Sequence, residues 1–255
     1  MIFDTHAHYD DNKFDEDRDV LLKELHLNGI SYILNACASL ESLDANIALA
    51  EKYDFIYIAL GIHPEYADKM NEGILDKIRV LSKNKKVVAI GEIGLDYYYD
   101  DPPRDIQREW FERQIELAKE LSLPIIIHDR DAHEDTIKII RKTKASQVGG
   151  IFHCFSGSVE MAMDMLDLNF NIAIGGVVTF KNARKTVEVV KAIPLDKLLI
   201  ETDCPYLAPE PYRGKRNNSG YLIHTIEKIA EIKGISAHEV AGTTLANAKK
   251  LFKLD

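Results

Sequence analysis

Pro124-Ile125-Ile126-Ile127-His128 is the stretch that decides the fold. Upstream of it, from about Asp105 to Leu121, the residues Phe111, Ile115, Ala118 and Leu121 recur at the spacing that lines one face of a helix. Pro124 stops that helix, because proline has no amide to donate and its ring clashes with the preceding turn. Three β-branched isoleucines follow, which reads as a short buried strand. A long amphipathic helix running straight into such a strand is half of a parallel crossover unit, and the residue delivered at the strand's end is a histidine.

The alternation continues in both directions. Strands are predicted to end at His6 and to run over Tyr32 to Ala36, Phe55 to Leu60, Val87 to Ile90, Gly150 to Phe152, Phe170 to Ile174 and Leu198 to Thr202. Helical faces lie between them: Val20, Leu21 and Leu25, stopped at Gly29; Leu43, Ile47 and Ala50; Ile74, Leu75, Ile78 and Leu81. Asp131 and Glu134 have the spacing of a capping box opening the helix after His128, and two helices, about Ser219 to Lys233 and Ser236 to Phe252, close the chain. Eight strands, each followed by a helix, with one helix left over, predict a TIM-like (β/α)8 barrel with an extra C-terminal helix, a single domain over residues 1–255. A doubly wound open sheet is the alternative, but no Gly-x-Gly-x-x-Gly follows a strand.

At 46% hydrophobic and 29% charged residues the composition is that of a globular protein with a real core. No apolar run reaches membrane-span length, and acids appear as early as Asp4, which excludes a signal-peptide layout; the expected location is the cytoplasm. Cys37, Cys154 and Cys204 are too few and too widely spaced for a disulfide framework or a cysteine zinc knuckle. A net charge of −9 repels polyanions at long range, so a phosphate substrate has to be held by local cations or bound metal.

In Phe3-Asp4-Thr5-His6-Ala7-His8, the two histidines project from one face of a strand and can grip one ion. Further metal-competent residues stand just after later strands: His63, Glu92, His128, His153 and Asp203. In a barrel all these strand ends meet at one rim, where catalytic groups sit. Leaving His63 aside, four histidines with two carboxylates exceed what one tetrahedral ion needs. The expectation is two divalent ions, one held by His6, His8 and Asp203, the other by His128 and His153, with Glu92 bridging. Mg²⁺, Mn²⁺, Zn²⁺ and Fe²⁺ all suit such a donor set. Two-metal chemistry is hydrolysis, with Glu92 and Asp203 as the catalytic carboxylates and Asp203 as acceptor of the water proton. Glu201, at the same strand parity as Asp203, is expected to support a ligating histidine. His63, Arg130, Arg213, Lys215 and Arg216 are assigned to substrate, with Lys181 and Arg184 as further cations. Tyr97-Tyr98-Tyr99 is read as packing before stacking on a base.

Taken together, Phe3-Asp4-Thr5-His6-Ala7-His8, Gly61-Ile62-His63-Pro64, Gly91-Glu92-Ile93-Gly94-Leu95-Asp96-Tyr97, Phe152-His153-Cys154-Phe155-Ser156-Gly157 and Glu201-Thr202-Asp203 resemble the TatD family of metal-dependent hydrolases. Pro211-Tyr212-Arg213-Gly214 and Asn247-Ala248-Lys249-Lys250-Leu251-Phe252 look like its later motifs. The resemblance implies a barrel of the amidohydrolase-type superfamily with two divalent ions. It implies ligands at His6, His8, Glu92 and Asp203 for one ion and at Glu92, His128 and His153 for the other. It also implies deoxyribonuclease activity, often from the 3′ end, with a nucleic acid as partner and no membrane or obligatory protein partner. Removal of D-amino acids from transfer RNA is a second activity linked to the group, and a catalytically silent nucleic-acid scaffold is a third reading. Asp129 after His128 and Asn217-Asn218-Ser219-Gly220 after the basic loop depart from the pattern.

Overall fold

The computed structural model describes residues 1–99 and 101–254. Among them, eight strands alternate with α-helices in the order β1 (Ile2–Ala7), α1 (Arg18–Leu27), β2 (Ile30–Ala36), α2 (Leu40–Lys52), β3 (Ile56–Leu60), α3 (Glu72–Leu81), β4 (Val87–Asp96) and α4 (Arg104–Leu121). The second half repeats the scheme with β5 (Ile125–Arg130), α5 (His133–Thr143), β6 (Gly150–Phe152), α6 (Val159–Asp167), β7 (Phe170–Ile174), α7 (Arg184–Ala192) and β8 (Leu198–Ile200), then α8 (Leu222–Lys233) and α9 (Ala237–Phe252). Strand order in the sheet is the order of the sequence, and the recorded pairings are parallel.

The residues fall into two compact units. The first comprises Met1–Asn35, Cys154–Leu166 and Asn171–Asp255. In it β7 pairs with β8, β1 pairs with β2, and Ala7 bridges to Cys204, so the first and last strands of the chain are neighbours. The second comprises Ala36–His153 and Asp167–Phe170, with β3 through β6 paired in sequence.

β6 and β7 run as the sequence predicts, and the isoleucines of β5 are wholly buried. β4 is the main departure. It continues from Ile90 through Gly91-Glu92-Ile93-Gly94 to Asp96, buried at all ten positions. The glycines there are not a turn. A Cβ on Gly91 would stand 2.6 Å from Ile126 Cβ, and one on Gly94 would stand 1.9 Å from the His128 carbonyl oxygen. Only glycine lets β4 approach β5 so closely at the level of Glu92 and His128. In α1 the buried face is Leu22 and Leu25, while Val20 is exposed.

The capping box expected of Asp131 and Glu134 does not form. α5 starts at His133 after Ala132, with no side-chain cap. Asp131 has φ 54°, a left-handed conformation, whereas a capping residue needs extended backbone. Its neighbour Asp129 instead accepts from His133 Nδ1 at 2.8 Å.

Helix α4 carries two buried glutamines that hold the neighbouring strand ends. Gln114 Oε1 accepts the Ile62 N–H at 2.8 Å and its Nε2 donates to the Ile62 carbonyl at 3.1 Å. Gln107 does the same for Asp96, with both contacts at 2.9 Å, and also donates to the Pro102 carbonyl. Each amide replaces a missing sheet partner just where a site residue, His63 or Asp96, leaves the strand. Gln114→Leu strands two buried backbone groups, so urea unfolding is expected to show a loss of about 2–4 kcal/mol. A change below about 0.5 kcal/mol would mean the clamp is dispensable.

Candidate metal centre

Each unit gathers its own set of donors. In the first, β1 delivers His6 and His8, and Asp203 follows β8. His6 Nε2 lies 3.1 Å from His8 Nε2, and Asp203 Oδ1 lies 3.4 Å from His8 Nε2 and 3.9 Å from His6 Nε2. Three donors at about 2.1 Å from one tetrahedral ion stand about 3.4 Å apart, so the set fits a divalent cation. Asp203 sits at φ 56° and Cys154 at φ 43°. Left-handed backbone at such residues costs energy and persists only where the surroundings enforce it.

Asp4 does that enforcing. Fully buried, it accepts the Thr202 N–H at 3.0 Å on Oδ1 and the hydroxyls of Thr202 and Ser219 at 2.6 and 2.7 Å on Oδ2. The Asp203 N–H donates to the His6 carbonyl at 2.9 Å. The ends of β1 and β8 are thereby locked in one register, which sets His6 against Asp203. Burial pushes the Asp4 carboxyl up to about 6, against the hydrogen bonds from Thr202 and Ser219. Glu201 is buried and accepts the Cys154 N–H on Oε1.

In the second unit the focus is Glu92 Oε1. His153 Nε2 approaches it at 2.7 Å, His128 Nδ1 at 2.8 Å and His63 Nε2 at 3.6 Å. His128 Nδ1 and His153 Nε2 are 3.3 Å apart. The 3.3 Å between the two imidazole nitrogens is close to ligand spacing, while the 2.7 and 2.8 Å contacts to Glu92 are hydrogen bonds that an ion held by Glu92, His128 and His153 would replace. On the far side of its ring, His128 Nε2 donates to Asp96 Oδ2 at 2.9 Å. A carboxylate behind a ligating imidazole fixes its rotation and raises its basicity. Burial opposes charge on His128, but the hydrogen bonds to Asp96 and Glu92 outweigh it and raise its pKa to about 10. Burial likewise opposes the Asp96 charge, yet His128 beside it holds that carboxyl below its usual range.

His63 behaves differently. Its Nδ1 accepts the Glu65 N–H at 3.2 Å, capping the turn Pro64–Lys69. Burial and the adjacent His128 push its pKa down to about 3, so the ring is neutral. With Nδ1 committed as an acceptor, the proton resides on Nε2, which makes that atom a donor and not a ligand.

The two histidines respond oppositely to loading with metal. His128 must give up a proton to bind a cation at Nδ1, whereas His63 is already neutral and releases none. The affinity of the second donor set for Zn²⁺ is therefore expected to rise with pH until about 10, with close to one proton released near pH 8 in calorimetry. Asp96→Asn removes the ring's support and is expected to weaken that ion about 10–100-fold. Unchanged affinity in the variant would remove Asp96 from the site.

The cations expected to hold substrate divide. Arg130 lies 3.9 Å from Asp96 Oδ2 and 3.9 Å above the Tyr98 ring, beside the second donor set. Tyr98 and Tyr99, expected to pack, are 58% and 60% exposed, whereas Tyr97 donates to Asp135 at 2.7 Å. Arg213 stacks on Phe180 at 4.4 Å, and Lys215 is exposed in the same loop. Arg216 has a partner already: it grips Asp17 through contacts of 2.8 and 2.5 Å and donates to the Lys13 carbonyl. Asp129, the extra acid beside His128, is turned to His133.

Two clusters of imidazole and carboxylate on a parallel α/β scaffold define a metal-dependent hydrolase. The chain belongs to the TatD family: residues 3–253 match the profile of the TatD related DNases. It is 48% identical, over 100% of both chains, to YabD of Bacillus subtilis strain 168, an uncharacterized metal-dependent hydrolase. The crystal structure of YjjV, a TatD homologue of Escherichia coli K12, superposes with a TM-score of 0.93 at 32% identity, covering 100% of this chain and 98% of that one. An uncharacterized amidohydrolase of Saccharomyces cerevisiae shares the fold at 18% identity, with a TM-score of 0.86 over 98% and 99% of the two chains. The fold is the TIM-like (β/α)8 barrel, with α9 as the additional C-terminal helix. No helix among the described residues is long and apolar enough to cross a membrane.

Proposed function

We propose that this protein is a deoxyribonuclease that hydrolyses phosphodiesters from the 3′ end of DNA, with one divalent ion in each donor cluster. The observation that carries the reading is the convergence of His128 and His153 on Glu92 Oε1 in one unit while His6, His8 and Asp203 converge in the other. His6, His8 and Asp203 would hold one divalent ion and Glu92, His128 and His153 the other, and bound there they would supply Lewis acidity and a nucleophilic water near neutral pH. Asp203 accepts the proton of the attacking water. His63 donates its Nε2–H to a substrate oxygen, and Arg130, Arg213 and Lys215 supply the positive charge that a protein of net charge −9 lacks at long range. The three cysteines carry no disulfide, which suits work in the cytoplasm.

The test is hydrolysis of end-labelled single-stranded DNA by metal-stripped protein reloaded with Mg²⁺, Mn²⁺ or Zn²⁺. Metal-dependent release of nucleotides from the 3′ end is expected. Protein holding two ions and cleaving neither DNA nor a small phosphodiester would sink the reading and direct the same assay to D-aminoacyl transfer RNA.

A further inference from the structure

Apart from the donor clusters, the first unit contains a cavity of about 500 Å³ that no step above uses. It opens among the segments that follow β6 and β7. Phe155, Ile174, Val177 and Phe180 make its apolar wall, and Lys185 lines it with positive charge, while Arg184, also in the lining, is paired with Glu188 at 3.1 Å. The volume lies within the range of small-molecule sites, and an apolar wall with a few convergent polar groups is their usual composition.

Two features say what kind of molecule would enter. The first is charge. Arg213 lies over the ring of the lining residue Phe180 at 4.4 Å, so a second cation joins Lys185 beside the apolar wall on a protein whose net charge is −9. Two cations beside an apolar wall suit a flat heteroaromatic group attached to an anion. The second is place. Gly175 forms part of the lining, and a Cβ added to it would stand 3.5 Å from the Glu201 carbonyl oxygen and 3.8 Å from Glu201 Oε1. Cys154, also in the lining, donates its N–H to that same carboxylate. The cavity wall is thus shared with Glu201, two residues before Asp203.

We infer that the cavity is a nucleotide subsite. It takes the base of a deoxynucleotide against Phe155 and Phe180, and Lys185 and Arg213 hold its phosphate. Base–aromatic contact of this kind is tolerant of sequence, and the cations give it preference for the phosphorylated over the bare nucleoside. An aminoacyl side chain would use the apolar wall but has no need of Lys185 and Arg213. The choice of ligand rests on the phosphodiesterase reading; the cavity itself does not.

The experiment is calorimetric binding of thymidine 5′-monophosphate and of thymidine to the metal-loaded protein. The wild type, Lys185→Ala and Val177→Trp are compared. Lys185 is exposed, so its replacement leaves the fold intact. Thymidine monophosphate is expected to bind at least tenfold tighter than thymidine. Lys185→Ala should reduce that ratio severalfold without weakening thymidine, and Val177→Trp, which fills the cavity, should weaken both at least tenfold. Binding of both ligands unchanged in the two variants would overturn the inference. Hydrolysis of methyl 4-nitrophenyl phosphate, which has no base, is measured on the wild type alongside. Cleavage without thymidine binding would remove the subsite and keep the phosphodiesterase; thymidine binding blocked by Val177→Trp, without cleavage, would do the reverse.

Discussion

Glu92→Gln is expected to lower turnover at least about 1,000-fold, the order seen when a principal electrostatic group is lost from a hydrolytic site. The amide keeps the shape of the side chain but loses the charge on which His63, His128 and His153 converge at 3.6, 2.8 and 2.7 Å. Without that charge, an ion held by His128 and His153 has no anionic donor. Metal analysis of the purified variant then separates two arrangements. Loss of one ion means Glu92 serves only its own cluster. Loss of both means it bridges, as the sequence reading expects. Retention of two ions with activity within threefold of wild type would exclude Glu92 from the chemistry.

Asp203→Asn carries the second large effect. Asp203 offers Oδ1 to His8 and His6 at 3.4 and 3.9 Å from a backbone held at φ 56°. Asparagine preserves the fold of that turn, since it tolerates the left-handed region as well as aspartate does. It cannot take a proton. The expected result is a fall in kcat of about 100- to 10,000-fold, with KM within about threefold, the range for loss of a general base. Equal losses in kcat and in substrate affinity would assign Asp203 to binding. Both variants need a thermal melt beside the kinetics, because each alters a partly buried charge.

Much of this site is legible in the sequence, and the parts that are not have physical reasons. β6 and β7 match residue for residue because glycine and asparagine mark their limits: Gly149 at φ 63° before one, Asn169 at φ 68° before the other. The candidate donors stand out because histidines and acids directly after apolar runs have few structural uses. Asp96 escaped since Gly91 and Gly94 look like a turn, when they are the places where β4 presses against β5. Once β4 is known to continue, Glu92 and Asp96 share a face by simple alternation. Asp4 lay inside the stretch that exposed the histidines, at the same parity as His6 and His8. Its role depends on Thr202 and Ser219, partners about 200 positions away, which no local pattern encodes. The occupation of Arg216 by Asp17 is equally a matter of distant sequence.

The glutamine clamps of α4 have a consequence for how the protein opens. The amides of Ile62 and Asp96 bond to side chains of a helix and not to a neighbouring strand. Fraying of the sheet therefore does not free them; only departure of α4 does. In deuterium exchange these two positions should share one rate, that of helix undocking, and follow it under denaturant as a single cooperative segment. Because His63 follows the first amide directly and Asp96 itself carries the second, the same excursion that labels them also loosens the support behind Glu92 and His128. Slow exchange there would mean that the helix, far from the reacting atoms, governs how long the second donor set keeps its geometry.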